Sequence, residues 1–139
     1  MKLPAVVLLS SLFLVACDNN SDHDEPGFPD GFLFGTATAA HQVESNNTNN
    51  DWYAWETLGR IRDGHSNLNG PDYWNNYSND FDFAQLLGTN AYRFSLEWSK
   101  IEPVKDQYDR AAIDHYHLMI DDMRAKGMQP VVTLQHFTL

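Results

Sequence analysis

The sequence is short of cysteine and of basic residues, and each shortage narrows the classes of protein that it can encode. Its 139 residues include a single cysteine, so no disulfide can form within the chain. Lysine and arginine total 9 against 19 acidic residues, which gives a net charge of −10. Such an anionic chain argues against a nucleic-acid partner and against a polybasic contact with membranes. A neutral or cationic small molecule is the expected ligand.

Motifs that indicate cofactor or metal chemistry are missing as well. The sequence contains no glycine-rich phosphate loop and no serine nucleophile elbow. Four histidines form no i, i+4 pair and no cysteine accompanies them, which leaves a zinc site without support: His41, His65, His115 and His117. We therefore expect the protein to need no cofactor and no metal.

The N-terminal residues have the pattern of an export signal. Lys2 is followed by an apolar run over residues 3–15, which is too short to span a bilayer. The letters LVAC at residues 14–17 resemble a bacterial lipobox. That resemblance implies cleavage before Cys17, lipidation of its sulfur and a membrane anchor on the periplasmic side of a bacterial envelope. The alternative is an ordinary secretory signal in which the cysteine is incidental.

Composition divides the chain into three parts. Residues 1–16 are the predicted lipoprotein signal peptide, and residues 17–27 are Cys17 and an acidic linker without apolar periodicity. Residues 28–139 form the predicted domain, in which apolar runs typical of strands alternate with helical patterns. The predicted strands are 32–43, 90–98 and 129–137, and the predicted helices are 73–87, capped by Asp72, and a second one that Asp109 caps and Gly127 closes.

This order of strands and helices predicts right-handed crossovers and a parallel sheet, so the fold class is α/β. A closed barrel and an open sheet fit the pattern equally. Residues 45–71 form one long connection after the first strand, on the side where barrel enzymes hold their sites. It is either functional or a disordered insertion. Its aromatic residues, Trp52, Tyr53 and Trp55, can stack on sugar rings or plug the barrel mouth.

Three polar residues on the strands are candidates for function. Alternation along strand 90–98 directs Arg93 and Glu97 away from the helices, so Arg93 needs an acidic partner, either Glu97 or a carboxylate from elsewhere. Gln42 and His136 end the first and third predicted strands, where a barrel presents polar groups to its ligand. Taken singly, each could instead be a satisfied core or capping residue.

Three segments, in order, resemble conserved blocks of glycoside hydrolase family 1. They read FLFGTATAAHQVE at 32–44, NAYRFSLEWSKIEP at 90–103 and GMQPVVTLQHFTL at 127–139. The resemblance covers residues 28–139 and implies a (β/α)8 TIM barrel, of which only the first three strands and two helices are present. Ser45, Gln135 and Thr138 depart from the family pattern and bear on the preference for the leaving group.

The resemblance implies retaining hydrolysis of O-glycosyl bonds in β-D-glycosides, as in β-glucosidases, with an oligosaccharide or small β-glycoside as substrate. Gln42 and His136 would then bind sugar hydroxyls, and Arg93 would contact the nucleophilic glutamate. Both catalytic glutamates are expected beyond Leu139, so the fragment itself is expected to be inactive. Four glutamates match no catalytic position of the family: Glu44, Glu56, Glu97 and Glu102. The rivals are a non-catalytic sugar-binding relative of the same fold and a different parallel α/β enzyme.

Overall fold

The computed structural model describes residues 27–136. The predicted signal peptide, Cys17 and nearly all of the linker lie outside the described residues, as do residues 137–139. Residues 27–30 belong to the first of two compact units, and the described part of the second unit runs from Gly31 to His136. Among the described helices, none has the length and apolarity that a membrane span requires.

Three parallel strands form one sheet, as the alternation of strands and helices predicts. They are β1 (Gly35–Ala37), β2 (Ala91–Ser95) and β3 (Gln129–Thr133), in the spatial order β1-β2-β3. Thr36 lies opposite Tyr92, and Tyr92 lies opposite Pro130. A Cβ on Gly35 would lie 2.6 Å from the Ala91 carbonyl oxygen, so the close approach of β1 to β2 requires glycine there.

Each strand is shorter than predicted, and the chain turns into a short helix after β1 and after β2. After β1 the chain enters α1 (Ala40–Val43), whose first amide, that of Ala40, donates to Ser95 Oγ at 2.8 Å. After β2 it enters α4 (Trp98–Ile101). The apolar letters of these short helices are equally compatible with a strand, so the sequence pattern extended the strands too far.

Two long crossover helices connect the strands, as predicted. α3 spans Tyr73–Leu86 and α5 spans Arg110–Ala125, while α2 (Asp51–Thr57) and two 3-10 turns (Arg62–Gly64 and Asn67–Asn69) fold the long connection. That connection is therefore ordered structure rather than the disordered insertion weighed above. The short helices α1, α2 and α4 were not predicted.

The two predicted helix caps have different outcomes. Asp109 Oδ1 accepts from the backbone amides of Ala111 and Ala112 at 2.8 and 3.3 Å, which confirms it as the cap of α5. Asp72 precedes α3 but has φ 56°, and its carboxylate accepts from the Asn75 side-chain amide instead. The prediction of a backbone cap there was wrong, because the left-handed conformation directs the carboxylate away from the first amides of the helix.

The core lies between the sheet and the long helices. Tyr92 and Phe94 of β2 are buried against Phe81 of α3 and against Met119 and Met123 of α5. Full burial of a side chain of this size stabilises the fold by roughly 1.5–3 kcal/mol. The alternation predicted for β2 therefore holds over Ala91–Ser95, and Arg93 lies on the face away from this core.

Candidate functional site

A cavity of about 870 Å³ opens beside the carboxyl ends of the strands. Its walls come from α1, from α2, from residues 61–70 and from the segment after β3. The lining residues include both Gln42 and His136, the two residues predicted to bind the ligand. The structure thus brings together on one cavity two side chains that are 94 positions apart in the sequence.

Gln42 reaches the cavity from α1 and not from the end of a strand, which corrects the sequence prediction. Its backbone amide donates to the Ala39 carbonyl oxygen at 3.0 Å, and α1 is held to β2 by the contact with Ser95. Its side chain is exposed, as a ligand-binding amide must be. An amide can donate to one sugar hydroxyl and accept from another.

Arg93 connects the carboxyl ends of all three strands. Its Nη1 donates to the Thr38 carbonyl oxygen at 3.0 Å after β1, and its Nε donates to Thr133 Oγ1 at 2.8 Å at the end of β3. Its Nη2 lies 3.5 Å from Nδ1 of His136. Among the residues that the structure describes, no carboxylate lies within 4.0 Å of this guanidinium.

Glu97 does not pair with Arg93, so that alternative is wrong. The strand ends at Ser95 and the chain turns into α4, which removes the shared face that the pairing assumed. Glu97 is fully buried and accepts from Ser99 Oγ at 2.8 Å, from Asn50 Nδ2 at 3.1 Å and from Asn47 Nδ2 at 3.3 Å. These donors satisfy a carboxylate that burial would otherwise penalise.

Glu44 is a second buried carboxylate, at the end of α1. It accepts from Lys100 Nζ at 2.8 Å and from the Tyr116 hydroxyl at 2.7 Å. Burial raises the pKa of Glu44 above its usual value, although the nearby Lys100 ammonium opposes that rise. Asn47 Nδ2 lies within 3.4 Å of both Glu44 and Glu97, so the two carboxylates belong to one polar network behind the cavity.

A third carboxylate, Glu56 of α2, lies in the cavity wall itself. It receives hydrogen bonds from His41 Nε2 at 2.8 Å, from Ser66 Oγ at 2.6 Å and from the Asn67 amide at 3.1 Å. Burial acts to raise the pKa of Glu56, but the hydrogen bonds from Ser66, His41 and Asn67 outweigh it and hold the pKa below its usual value. Glu56 is therefore ionised at neutral pH and unsuited to donating a proton.

The sequence predicted neither the helix α2 nor the position of Glu56 in the cavity wall. One signal for the helix was available: Asn50 is a preferred N-cap residue, and its Oδ1 accepts from the Tyr53 amide at 2.8 Å. Of the three aromatic residues for which both sugar stacking and packing at the barrel mouth were considered, Trp52 lines the cavity. Trp55 instead lies under the Arg60 guanidinium, 5.0 Å from ring centroid to carbon.

The described residues contain no group of three or more histidine, cysteine, aspartate or glutamate side chains able to hold a metal ion. A cavity at the carboxyl ends of parallel strands joined by helices, with polar side chains among its lining residues, is typical of small-molecule sites in the parallel α/β class of proteins. Amide, imidazole and indole groups on its walls suit a ligand with many hydroxyls and apolar ring faces.

Comparison with known proteins identifies the family within that class. Residues 24–139 match the model of Glycosyl hydrolase family 1, and the chain belongs to that family. The described strands and crossover helices are accordingly part of a (β/α)8 barrel, which decides between the two architectures that the sequence pattern left open.

Three relatives illustrate the similarity. Beta-glucosidase 6 of Oryza sativa subsp. japonica is 41% identical over 120 residues, which cover 81% of this chain and 23% of that protein. A rice beta-glucosidase mutant in a covalent complex with Glc is 40% identical with a TM-score of 0.74, over 81% of this chain and 25% of that one. The beta-glucosidase from Thermotoga maritima in complex with castanospermine is 33% identical with a TM-score of 0.75, over 78% of this chain and 26% of that one. This chain therefore spans about a quarter of the length of these relatives.

Proposed function

We propose that the full-length protein hydrolyses O-glycosyl bonds of β-D-glycosides with retention of configuration, as a β-glucosidase, and that the residues described here build the sugar-binding part of its site. The observation that carries this proposal is the placement of Gln42 and His136 on one cavity of a family 1 barrel. Beta-glucosidases among the relatives support the same substrate class.

Retaining chemistry needs two carboxyl groups about 5–5.5 Å apart, one as acid and then base, the other as nucleophile. Of the described residues that line the cavity, Glu56 is the one that carries a carboxyl, and hydrogen bonds from three residues and a lowered pKa make it a poor acid. We infer that residues other than those described supply the catalytic pair. The covalent Glc complex of the rice relative is consistent with a glycosyl-enzyme intermediate.

In this proposal Gln42 and His136 hold hydroxyls of the sugar whose bond is cleaved. Such contacts accelerate the reaction to the extent that they strengthen in the transition state. Arg93 lies 3.5 Å from His136, and in this proposal it keeps the nucleophilic carboxylate ionised, because a cation within about 4–6 Å lowers a carboxyl pKa. An ionised carboxylate is what the nucleophilic step requires.

We further propose that the protein is exported and anchored by lipid on Cys17 at the periplasmic face of a bacterial membrane. The support for this location is the sequence of residues 1–17 alone. No cofactor enters the proposed reaction, since protonation by one carboxyl and attack by another suffice.

The test uses the full-length protein and 4-nitrophenyl β-D-glucoside. Gln42→Ala and His136→Ala should each lower kcat/KM on the order of 10²-fold or more, because each removes hydroxyl contacts made in the transition state. Matched controls are Gln107→Ala and His117→Ala, which alter exposed residues that do not line the cavity. The first sugar released should be the β-anomer by proton NMR.

Two results would contradict the proposal in different ways. Changes below threefold at both Gln42 and His136 would remove the assignment of sugar binding to this cavity. Binding of glucose-like inhibitors without any turnover by the wild type would favour the alternative of a non-catalytic sugar-binding relative.

A further inference from the structure

The cavity wall formed by residues 61–70, here termed the outer wall, lacks a strand or a full helix of its own. Its regular structure is limited to the 3-10 turns Arg62–Gly64 and Asn67–Asn69. It nevertheless contributes about half of the residues that line the cavity: Ile61, Gly64, His65, Ser66, Asn67, Asn69 and Gly70. A segment of this kind must be held in place by contacts with neighbouring elements.

Two groups anchor the outer wall, and both converge on Asn67. The Asn67 side chain exchanges hydrogen bonds with the backbone of Asn47, accepting from its amide at 2.7 Å and donating to its carbonyl oxygen at 3.2 Å. Glu56 of α2 receives the Asn67 amide at 3.1 Å and the Ser66 hydroxyl at 2.6 Å. Of these two anchors, Glu56 is the one that carries a charge, and hydrogen bonds to a charged group are roughly twice as strong as neutral ones.

The same carboxylate also holds the helix that carries Gln42. Glu56 Oε1 lies 2.8 Å from Nε2 of His41, the residue immediately before Gln42. Nδ1 of His41 accepts from the Asn50 side-chain amide at 3.0 Å, so the hydrogen lies on Nε2 and points at Glu56. The ring of Trp52 stacks on this fixed imidazole, with 6.2 Å between ring centroids.

We propose that Glu56 is a positioning residue that fixes the outer wall against α1 and thereby sets how the enzyme accepts the group beyond the sugar that Gln42 and His136 hold. This inference rests on the proposed function of the site. Among the described residues the cavity has a volume of about 870 Å³, within the ~300–1,000 Å³ typical of small-molecule sites. With Gln42 and His136 assigned to the first sugar, the outer wall and Trp52 are left for the rest of the substrate.

Charge is the property of Glu56 on which the arrangement depends. All three of its partners point a hydrogen at the carboxylate, so an amide in its place would direct its own hydrogens at donors. Because the pKa of Glu56 lies below its usual value, the carboxylate stays ionised in assays near neutral pH. Side-chain exposure of 9% for Glu56 and 11% for His41 shields these bonds from competing water.

The experiment compares the full-length wild type with Glu56→Gln on two substrates, 4-nitrophenyl β-D-glucoside and cellotetraose. We expect KM for cellotetraose to rise about tenfold, because a wall displaced by a fraction of an ångström misplaces the distal sugars. KM for the small substrate should rise less than KM for cellotetraose, because the hydrogen bond from the Ala40 amide to Ser95 Oγ still holds α1. For both substrates the change in kcat should be smaller than the change in KM for cellotetraose. Ser66→Ala, which removes the hydrogen bond from one of the three partner residues, should give a smaller shift in the same direction.

Hydrogen–deuterium exchange supplies a readout that does not depend on turnover. In Glu56→Gln, exchange over residues 61–70 should increase while exchange in α5 stays unchanged. Asp51→Asn is the matched control, since it neutralises an exposed acid on the same helix that does not line the cavity. It should alter neither KM nor exchange.

Three outcomes would overturn the inference. Unchanged exchange over residues 61–70 would show that Glu56 does not hold the outer wall. Equal losses of kcat/KM on both substrates would show that Glu56 acts on the site of the first sugar instead. Faster hydrogen–deuterium exchange throughout the protein would show that Glu56 has only a general structural role. A wild type without activity on either substrate would refute the proposed function, and the exchange measurement would still decide whether Glu56 fixes the wall.

Discussion

Removal of the Lys100 ammonium should destabilise the protein by leaving Glu44 buried without its cation. Lys100 Nζ lies 2.8 Å from Glu44 Oε2, and the side chain of Glu44 is 0% exposed while that of Lys100 is 23% exposed. Loss of one partner from a buried ion pair costs about 3–5 kcal/mol. Lys100 is partly exposed, and the Tyr116 hydroxyl still donates to Glu44 after the substitution. We therefore expect Lys100→Met to lower the free energy of unfolding by about 3 kcal/mol at pH 7, the lower end of that range.

The loss should depend on pH in a defined direction. Burial raises the pKa of Glu44 above its usual value of 4.5, and removal of Lys100 raises this pKa further. A carboxyl whose pKa is higher in the folded protein stabilises the fold below the unfolded pKa, and this stability is lost as the pH rises through the folded pKa. The free energy of unfolding of Lys100→Met should therefore fall further below that of the wild type at pH 7 than at pH 5.

Urea denaturation of the full-length protein at both pH values measures the effect. Lys105→Met is the matched control, because Lys105 is exposed and should change the free energy of unfolding by less than about 0.5 kcal/mol. Adding Glu44→Gln to Lys100→Met should recover part of the loss, since the uncompensated charge is then gone. A loss below about 1 kcal/mol at pH 7, or an equal loss at both pH values, would refute the reasoning.

Three further predictions concern other parts of the chain. Asp109→Ala should lower the free energy of unfolding by about 1 kcal/mol in urea denaturation, because Asp109 caps α5, whereas Asp72→Ala should cost less because its carboxylate accepts from no backbone amide of α3. Cys17→Ser should move the protein from the membrane fraction to the soluble fraction, and a variant that resists a carbonate wash would contradict the lipid anchor. A polypeptide of residues 17–139 should hydrolyse no aryl β-glycoside and should show no cooperative thermal unfolding. Among the described residues, both edge strands of its three-stranded sheet lack a further strand to pair with. A monomer that unfolds cooperatively and is active would contradict this prediction.

The sequence was sufficient for features that depend on neighbouring residues. The cap at Asp109 precedes an apolar stripe with a helical period, and the alternation over Ala91–Ser95 places Tyr92 and Phe94 in the core and Arg93 on the opposite face. Parallel strands followed from the order of strands and crossover helices. Local conformational preference and side-chain period are properties of a short window, so a single sequence carries them.

Only the tertiary structure decided what the polar residues contact. Glu97 accepts from Asn50, 47 positions away, and not from Arg93, and Glu44 meets Tyr116 across 72 positions. Gln42 lies on a short helix whose first amide, that of Ala40, donates to Ser95 Oγ on the neighbouring strand. These hydrogen bonds join groups that lie far apart in the sequence and that the fold brings together. A glutamate is the same residue type in the sequence whether it holds a cavity wall, as Glu56 does, or is buried in the network behind the cavity. The choice of partner is set by distance and burial, which the order of residues does not contain.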